Sequence, residues 1–336
     1  MTDWKATLAR WGLTVDENGS AELNAHAAEP AEDDAWLTPL PSLGVLKVEG
    51  RDAAKFLQTQ LTNEVESLPN GDSTLAAWCD PKGRAQALLR IYRADQTLYY
   101  VVAPATVLDT VGPKLKLFVL RAKVSLERLD TDIACLGISN NGQPAINALA
   151  RLTVDEARSI VLCFAEELTD LFESLTRVQV HVLGESHWRK LDVLRGIPQV
   201  TKPLMGELVP QMMNLELIGG ISFHKGCYPG QEVVARAQYL GRIKRRLYPT
   251  TIALAQGSLV PLPGTPIVTD DGSKVGLVIQ SGAPKPQGLL DCQAVLRTES
   301  VDSQATLHVE SPDGPVLQVM PPPYSLVAPE SLTARQ

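Results

Sequence analysis

The residues after Gly241 carry the pattern that most restricts the fold. "RRLYPTTIAL", "TPIVTDDGSKVGLVIQ", "CQAVLRT", "ATLHVE" and "VLQVM" are short strand-like runs broken by Gly and Pro, with a hairpin signal at Asp271-Gly272. Such runs must pair with one another, which predicts a small barrel or sandwich at the C-terminal end.

Upstream, strands and helices interleave. "GVLKVEG" alternates like a strand, and "RDAAKFLQTQLTNEV" sets Ala54, Leu57 and Leu61 on one helical face. "STLAAWCDPKGRAQALLRIYR" predicts two strands joined at Asp80-Pro81-Lys82-Gly83, because Pro presets the turn and Gly tolerates positive φ. "TLYYVVAP" continues as a strand, and "ATVLDTVGPKLKLFVL" as a helix that Gly112-Pro113 should kink or restart. "KVSLERL", "ACLGIS", "SIVLCFA" and "VQVHVL" read as strands separated by helical patterns at "PAINALARL" and "EELTDLFESLTR"; "SHWRKLDVLRG" begins another helix. Residues 1–36 are polar and acidic and predict a short helix, "WKATLARWGL", followed by a loosely held arm of little function. The fold class is α+β.

A length of 336 residues suits two or three domains, and 44% apolar with 21% charged residues excludes wholesale disorder. No run of apolar residues is long enough for a membrane helix, and the N-terminus lacks a leader pattern, so a cytoplasmic location without membrane contact is expected. Cysteines at 79, 135, 163, 227 and 292 are too scattered for a disulfide framework or a metal cage. A net charge of −7 argues against a protein that coats nucleic acid. Within that acidic chain, Lys225, Arg236, Arg242, Lys244, Arg245 and Arg246 face a single acid, Glu232, and form a basic island. The sequence contains no H-E-x-x-H, G-x-S-x-G, G-x-G-x-x-G or P-loop, which speaks against zinc hydrolase, serine hydrolase, dinucleotide oxidoreductase and NTPase chemistry.

Two stretches of that region could carry chemistry. In "FHKGCYPGQEVVAR", "GGISF" just upstream can end a strand and "PGQEVVARAQYL" begins a helix, which puts Cys227 at a strand-to-helix turn. Helix-terminal N–H groups and a Lys225 side chain folded over it would favour a thiolate, a nucleophile or redox partner. A small buried cysteine among structural glycines fits the spacing equally well. "GRIKRR" reads as a phosphate, polyanion or RNA contact in which Arg242, Lys244 and Arg246 share a strand face, or as a solvated edge strand. Trp188 could stack on a pterin or a base, although a tryptophan at helical spacing is more often core.

"LVPQMMNLELIGGISFHKGCYPGQEVVARAQYLGRIKRRLY", Leu208 to Tyr248, resembles the signature of the YgfZ-type folate-binding proteins. "VEGRDAAKFLQTQLTNEV", "WCDPKGRA", the Trp-to-"GIP" helix and "PPPYSL" are weaker echoes of it. That family is related in fold to the glycine-cleavage aminomethyltransferases (T-protein). The resemblance implies an aminomethyltransferase-like folate-binding fold: a discontinuous α+β domain over 37–125 and 187–240, a ferredoxin-like insert at 126–186, and a C-terminal β-barrel from 241 to 336, after the 1–36 extension. It also implies tetrahydrofolate or a folate derivative as ligand, support of iron-sulfur enzymes or cluster-assembly proteins as partners, and an indirect link to tRNA methylthiolation.

On the same basis Lys225 and Cys227 form the functional pair, Tyr228, Gly230, Gln231 and Glu232 shape the turn and helix, and Arg236 borders the folate site with its neighbours in the basic island. One family tryptophan implicated in folate contact falls on Trp188 and the other on Leu43. Aminomethyl transfer itself is the competing enzyme reading. The position of its acidic pair is occupied by Gln86 and Ala87, which can neither bear the charge nor move the proton, with Asp80 close by. A non-catalytic RNA or protein adaptor working through "GRIKRR" is the remaining alternative.

Overall fold

The computed structural model describes residues 4–17, 19–24, 30–31, 34–140, 146–175, 180–239, 243–255, 257–285 and 288–327. The chain divides into two compact units. The first comprises Met1–Gln58, Glu64–Ala76 and Leu89–Trp188; the second comprises Thr59–Asn63, Ala77–Leu88 and Arg189–Gln336.

In chain order the elements begin with α1 (Trp4–Thr7), a 3-10 turn (Leu8–Trp11), β1 (Leu13–Val15), β2 (Ala21–Leu23), β3 (Trp36–Pro39) and β4 (Leu43–Glu49). They continue with α2 (Ala53–Gln60), β5 (Ser73–Cys79), β6 (Ala85–Arg93), β7 (Leu98–Pro104), α3 (Ala105–Phe118) and β8 (Ser125–Arg128). Next come β9 (Ile133–Ser139), β10 (Ala150–Thr153), β11 (Arg158–Phe164), α4 (Leu168–Leu175), β12 (His181–Val182) and α5 (Glu185–Arg195). One five-stranded sheet has the order β5-β6-β7-β4-β8 and another the order β10-β11-β9-β3-β12. The hairpin at Asp80–Gly83 forms as predicted, with Gly83 at φ 71°.

Three local expectations are corrected. The short helix expected at 4–13 forms over Trp4–Trp11, but the stretch after it is no loose arm: Leu13 and Ala21 enter the same core as Trp4, Leu8, Trp11, Leu37, Leu136 and Val161, and β1 pairs with β2. Their large apolar side chains gain more from that burial than a solvated arm could return. "PAINALARL" was expected to be helical, yet Ala150–Thr153 is a strand paired with β11, in which Ala150 and Leu152 are buried and alternate with more open neighbours. Gly112-Pro113 does not restart α3, which runs unbroken over Ala105–Phe118 with Pro113 on its exposed side and Val107, Leu108, Val111 and Leu115 buried on the other.

The tail confirms the β-rich reading. After α6 (Gln231–Tyr239) come β13 (Arg245–Ala253), β14 (Pro266–Thr269), β15 (Lys274–Pro284), β16 (Leu289–Arg297), α7 (Thr298–Asp302), β17 (Leu307–Val309) and β18 (Leu317–Val319). The six strands order β17-β14-β15-β16-β13-β18, and a bridge between His308 and Val316 draws the two ends together into a near-closed barrel. Ile252, Ile267, Val278, Leu290, Ala294 and Leu296 fill its interior. No helix among the described residues is long and apolar enough to cross a membrane.

Candidate functional site

The Cys227 segment is held at both ends within the second unit. No strand lies just before it, so the expectation that "GGISF" ends one is corrected: residues 220–228 form a loop, and another loop bonds its Gly220 carbonyl and Ser222 N–H. Thr62 carries most of that stitching. Its hydroxyl donates to the Gly220 carbonyl (2.8 Å), its own carbonyl accepts from Ser222 N–H (3.0 Å), and its backbone and hydroxyl both bond Ala77. Asn63 Nδ2 adds a bond to the Gly219 carbonyl at 2.7 Å. Onto this base Lys225 Nζ donates to the carbonyls of Leu61 (2.6 Å) and Asn63 (2.8 Å), and it stands 5.4 Å from the centre of the Tyr228 ring. The ammonium thus clamps the loop from one side.

Tyr228 and Gly230 clamp it from the other. Tyr228 is buried, and burial pushes its phenol well above the ordinary tyrosine range. Gly230 has φ 80°, and a Cβ there would come within 2.4 Å of the Asp80 carbonyl and 2.6 Å of the Gly83 Cα, so the hairpin turn and the start of α6 meet at two glycines. Gln231 Oε1 accepts from Tyr228 N–H (3.2 Å), and the Val234 carbonyl accepts from the buried Gln211 side chain (2.6 Å). Glu232 and Arg236 point to solvent from α6.

Between the clamps Cys227 is exposed, whereas Cys79, Cys135, Cys163 and Cys292 are buried. Burial pushes the Cys79 and Cys163 thiols up to about 12 and the Cys292 thiol up to about 11, and raises Cys135 as well. Those four are poor nucleophiles, since the thiolate is the reactive form. Among the described residues no group of three or more His, Cys, Asp or Glu side chains is placed to hold a metal.

The basic island does not form the face that the alternation predicted. Arg242 lies outside the described residues, and Lys244 is exposed just ahead of β13. Arg246 is only 7% exposed. It pairs with the buried Glu216 and donates to Gln211 O (3.1 Å) and Asn214 Oδ1 (3.4 Å). Burial raises the Glu216 carboxyl pKa, and the Arg246 charge opposes that shift. A buried anion has turned this arginine inward.

Asp80 is likewise engaged: Oδ1 accepts from Lys82 N–H (2.9 Å) and Arg84 N–H (3.0 Å), capping the hairpin turn, and Oδ2 lies 3.4 Å from Gln86 Nε2. Ala87 is fully buried in β6. Tyr324 of "PPPYSL" donates to the Gly196 carbonyl of "GIP" at 2.8 Å and accepts from Asn214 (3.3 Å), so those two sequence echoes meet.

Trp188 and Leu43 belong to the first unit. Trp188 is 6% exposed, with the Arg158 guanidinium 4.4 Å from its ring centre and Trp36 edge-on at 6.2 Å. Gly137 makes room for it: a Cβ there would fall 2.4 Å from the ring. Leu43 is buried in β4 opposite Pro104. The residues that sequence reasoning missed are Leu61, Thr62, Asn63, Gln211, Asn214 and Glu216. Their signal was present in the quoted "QTQLTNEV" and "VPQMMNLEL" stretches, but pointed to no partner.

Residues 22–165 match the model of the GCVT N-terminal domain. A protein of Cronobacter sakazakii named tRNA-modifying protein YgfZ is 30% identical over 316 residues, 86% of this chain and 93% of its own. An uncharacterized protein of Haemophilus influenzae is 35% identical over 206 residues, 61% of this chain and 69% of that one. The glycine cleavage system aminomethyltransferase T of Bartonella henselae superposes with a TM-score of 0.69 over 96% of both chains at 13% identity, which establishes an aminomethyltransferase-like α+β fold. With the signature around Cys227, the hairpin and the barrel all in place, the chain belongs to the YgfZ family.

Proposed function

We propose that this chain is a tetrahydrofolate-binding accessory protein of the cytoplasm that supports assembly or repair of iron-sulfur enzymes, those that methylthiolate tRNA among them, and acts through Cys227. One observation carries the reading: an exposed cysteine stands between a lysine clamp and a buried tyrosine, while the other four cysteines are buried. The YgfZ name of its relatives supports the link to tRNA modification. In this role Lys225 holds the loop through Leu61 and Asn63, and Tyr228, Gly230 and Gln231 lock it to the hairpin and to α6. The thiol is then presented to a partner without a second cysteine of its own chain beside it in sequence. The division into a discontinuous domain, an insert and a barrel belongs to the same proposal.

Folate is supported by the family rather than by the two side chains expected to contact it. A pterin ring needs an open aromatic face; that of Trp188 is covered by Arg158, and Leu43 is aliphatic and buried. Neither residue fits a stacking role as placed, and no chemical step is assigned to the folate. Titration with tetrahydrofolate, followed by heat and tryptophan fluorescence, tests the ligand: no signal at millimolar concentration rejects it.

Cys227→Ala should abolish rescue of a methylthiolating enzyme in cells lacking this protein while leaving the fold and folate affinity intact, and full rescue would sink the mechanism. Aminomethyl transfer is disfavoured by Gln86, Ala87 and the turn-capping role of Asp80. An adaptor built on "GRIKRR" is disfavoured by the buried Arg246.

A further inference from the structure

The C-terminal end of α3 exposes what a helix end ordinarily hides. Val107, Leu108, Val111 and Leu115 form its buried face, and the helix needs no further apolar residue. Yet Leu117 is 74% exposed, Phe118 48% and Leu120 87%. Leu120 also has φ 47°. That left-handed conformation after a helix is normally taken by Gly or Asn, and a leucine held in it is strained. Neither burial nor backbone geometry accounts for a leucine at this place.

The charge around these side chains is one-sided. Lys114, Lys116, Arg121 and Lys123 are exposed, and no acid occurs from Thr110 to Val124. Among the described residues their side chains make no ion pair. The acids that approach the segment are occupied: Asp109 pairs with Arg128 at 2.9 Å, and Asp52 accepts from the backbone N–H of Lys123 at 2.8 Å. In a chain of net charge −7, unpaired cations ringing three exposed apolar side chains do not serve general solubility.

We propose that residues 114–123 are a docking surface for a protein partner that presents an apolar anchor within an acidic rim. Apolar centres ringed by charge are the anatomy of a specific protein interface. Leucines cannot stack on bases, so a nucleic acid would leave Leu117 and Leu120 without a counterpart. Three apolar side chains on one helix end also fall short of a stable membrane anchor. The proposal does not require that Cys227 be reactive.

The test uses the full-length protein in cells with a photocrosslinking benzophenone amino acid at position 117, and identifies the crosslinked segment by mass spectrometry. The expected result is a protein segment in which Asp or Glu flanks a large apolar residue, with yield falling about tenfold or more in Lys116→Glu/Arg121→Glu. Leu120→Gly separates docking from folding: it relieves the left-handed strain, so thermal stability should hold or rise while crosslinking falls. Crosslinks to RNA or lipid, a crosslinked segment without acids, or no crosslink at all would overturn the proposal. So would Leu120→Gly or the charge reversal leaving the yield unchanged.

Discussion

Two cation-aromatic pairs in this molecule look alike as chemistry and differ in what surrounds them. In the first unit, Arg158 lies over Trp188, and the two are 1% and 6% exposed; Arg158 is tied to Asp155 at 2.7 Å and to the Trp188 carbonyl at 3.1 Å. In the second unit, Lys225 stands by the Tyr228 ring, but its ammonium is spent on two backbone carbonyls, and between them in sequence Gly226 and Cys227 face solvent. The closed pair stabilises a core. The open pair fixes the path of a loop and leaves a thiol accessible, and accessibility is what a reactive cysteine requires.

If that contrast is right, effects on stability and effects on function run in opposite order across the two regions. Arg158→Leu should cost the most stability, about 3 kcal/mol, because it strands Asp155 and removes the support of the Trp188 carbonyl. The denaturant midpoint measures it, and the folded fraction should keep its activity in the cellular rescue assay. Gly137→Ala should cost about 2 kcal/mol, since a new Cβ collides with the Trp188 ring, and its thermal midpoint should fall accordingly.

Lys225→Met should cost about 1 kcal/mol, because the amine is partly solvated, yet reduce rescue severely by freeing the loop. Cys227→Ala should change stability by no more than about 0.5 kcal/mol and still abolish rescue. A Lys225 variant that rescues fully, or a Cys227 variant that unfolds, would break the comparison.

The smallest effect belongs to the C-terminal barrel. His308 has its pKa raised by Asp270 (2.7 Å), with help from the Gly314 carbonyl (3.1 Å). A raised histidine contributes stability in full below its unfolded pKa of about 6.5 and loses it as pH climbs through the folded value. Asp270→Asn should flatten that slope of melting temperature against pH and leave rescue untouched.

Much of this architecture could be read from residue patterns. The hairpin at Asp80–Gly83, the strand "TLYYVVAP", the helix from Gln231 and the turn-rich barrel all follow from period and turn chemistry, which act over a few residues. "PAINALARL" misled because the helix preference of Ala and Leu is overridden by tertiary pairing, here with the edge of β11. Arg246 misled because alternation tells which residues share a face without telling which face is buried, and Glu216 supplies the buried countercharge from 30 residues away. The stretch after the first helix misled because Asp16, Glu17 and Glu22 masked Leu13 and Ala21, whose core partners come from β3, β9 and β11.

The site divides along the same line. By itself, the sequence determined the cysteine's setting among glycines, the lysine two residues before it, and the family to which that spelling belongs. Only the tertiary structure decided that Lys225 reaches Leu61 and Asn63, separated from it by 164 and 162 residues, that Gly230 meets Gly83, and that Trp188 is covered by Arg158. The physical reason is that the lysine's acceptors are backbone carbonyls and the glycines are selected by a close approach. A carbonyl is present at every residue, and contact space belongs to the fold, so neither leaves a side-chain signature to read.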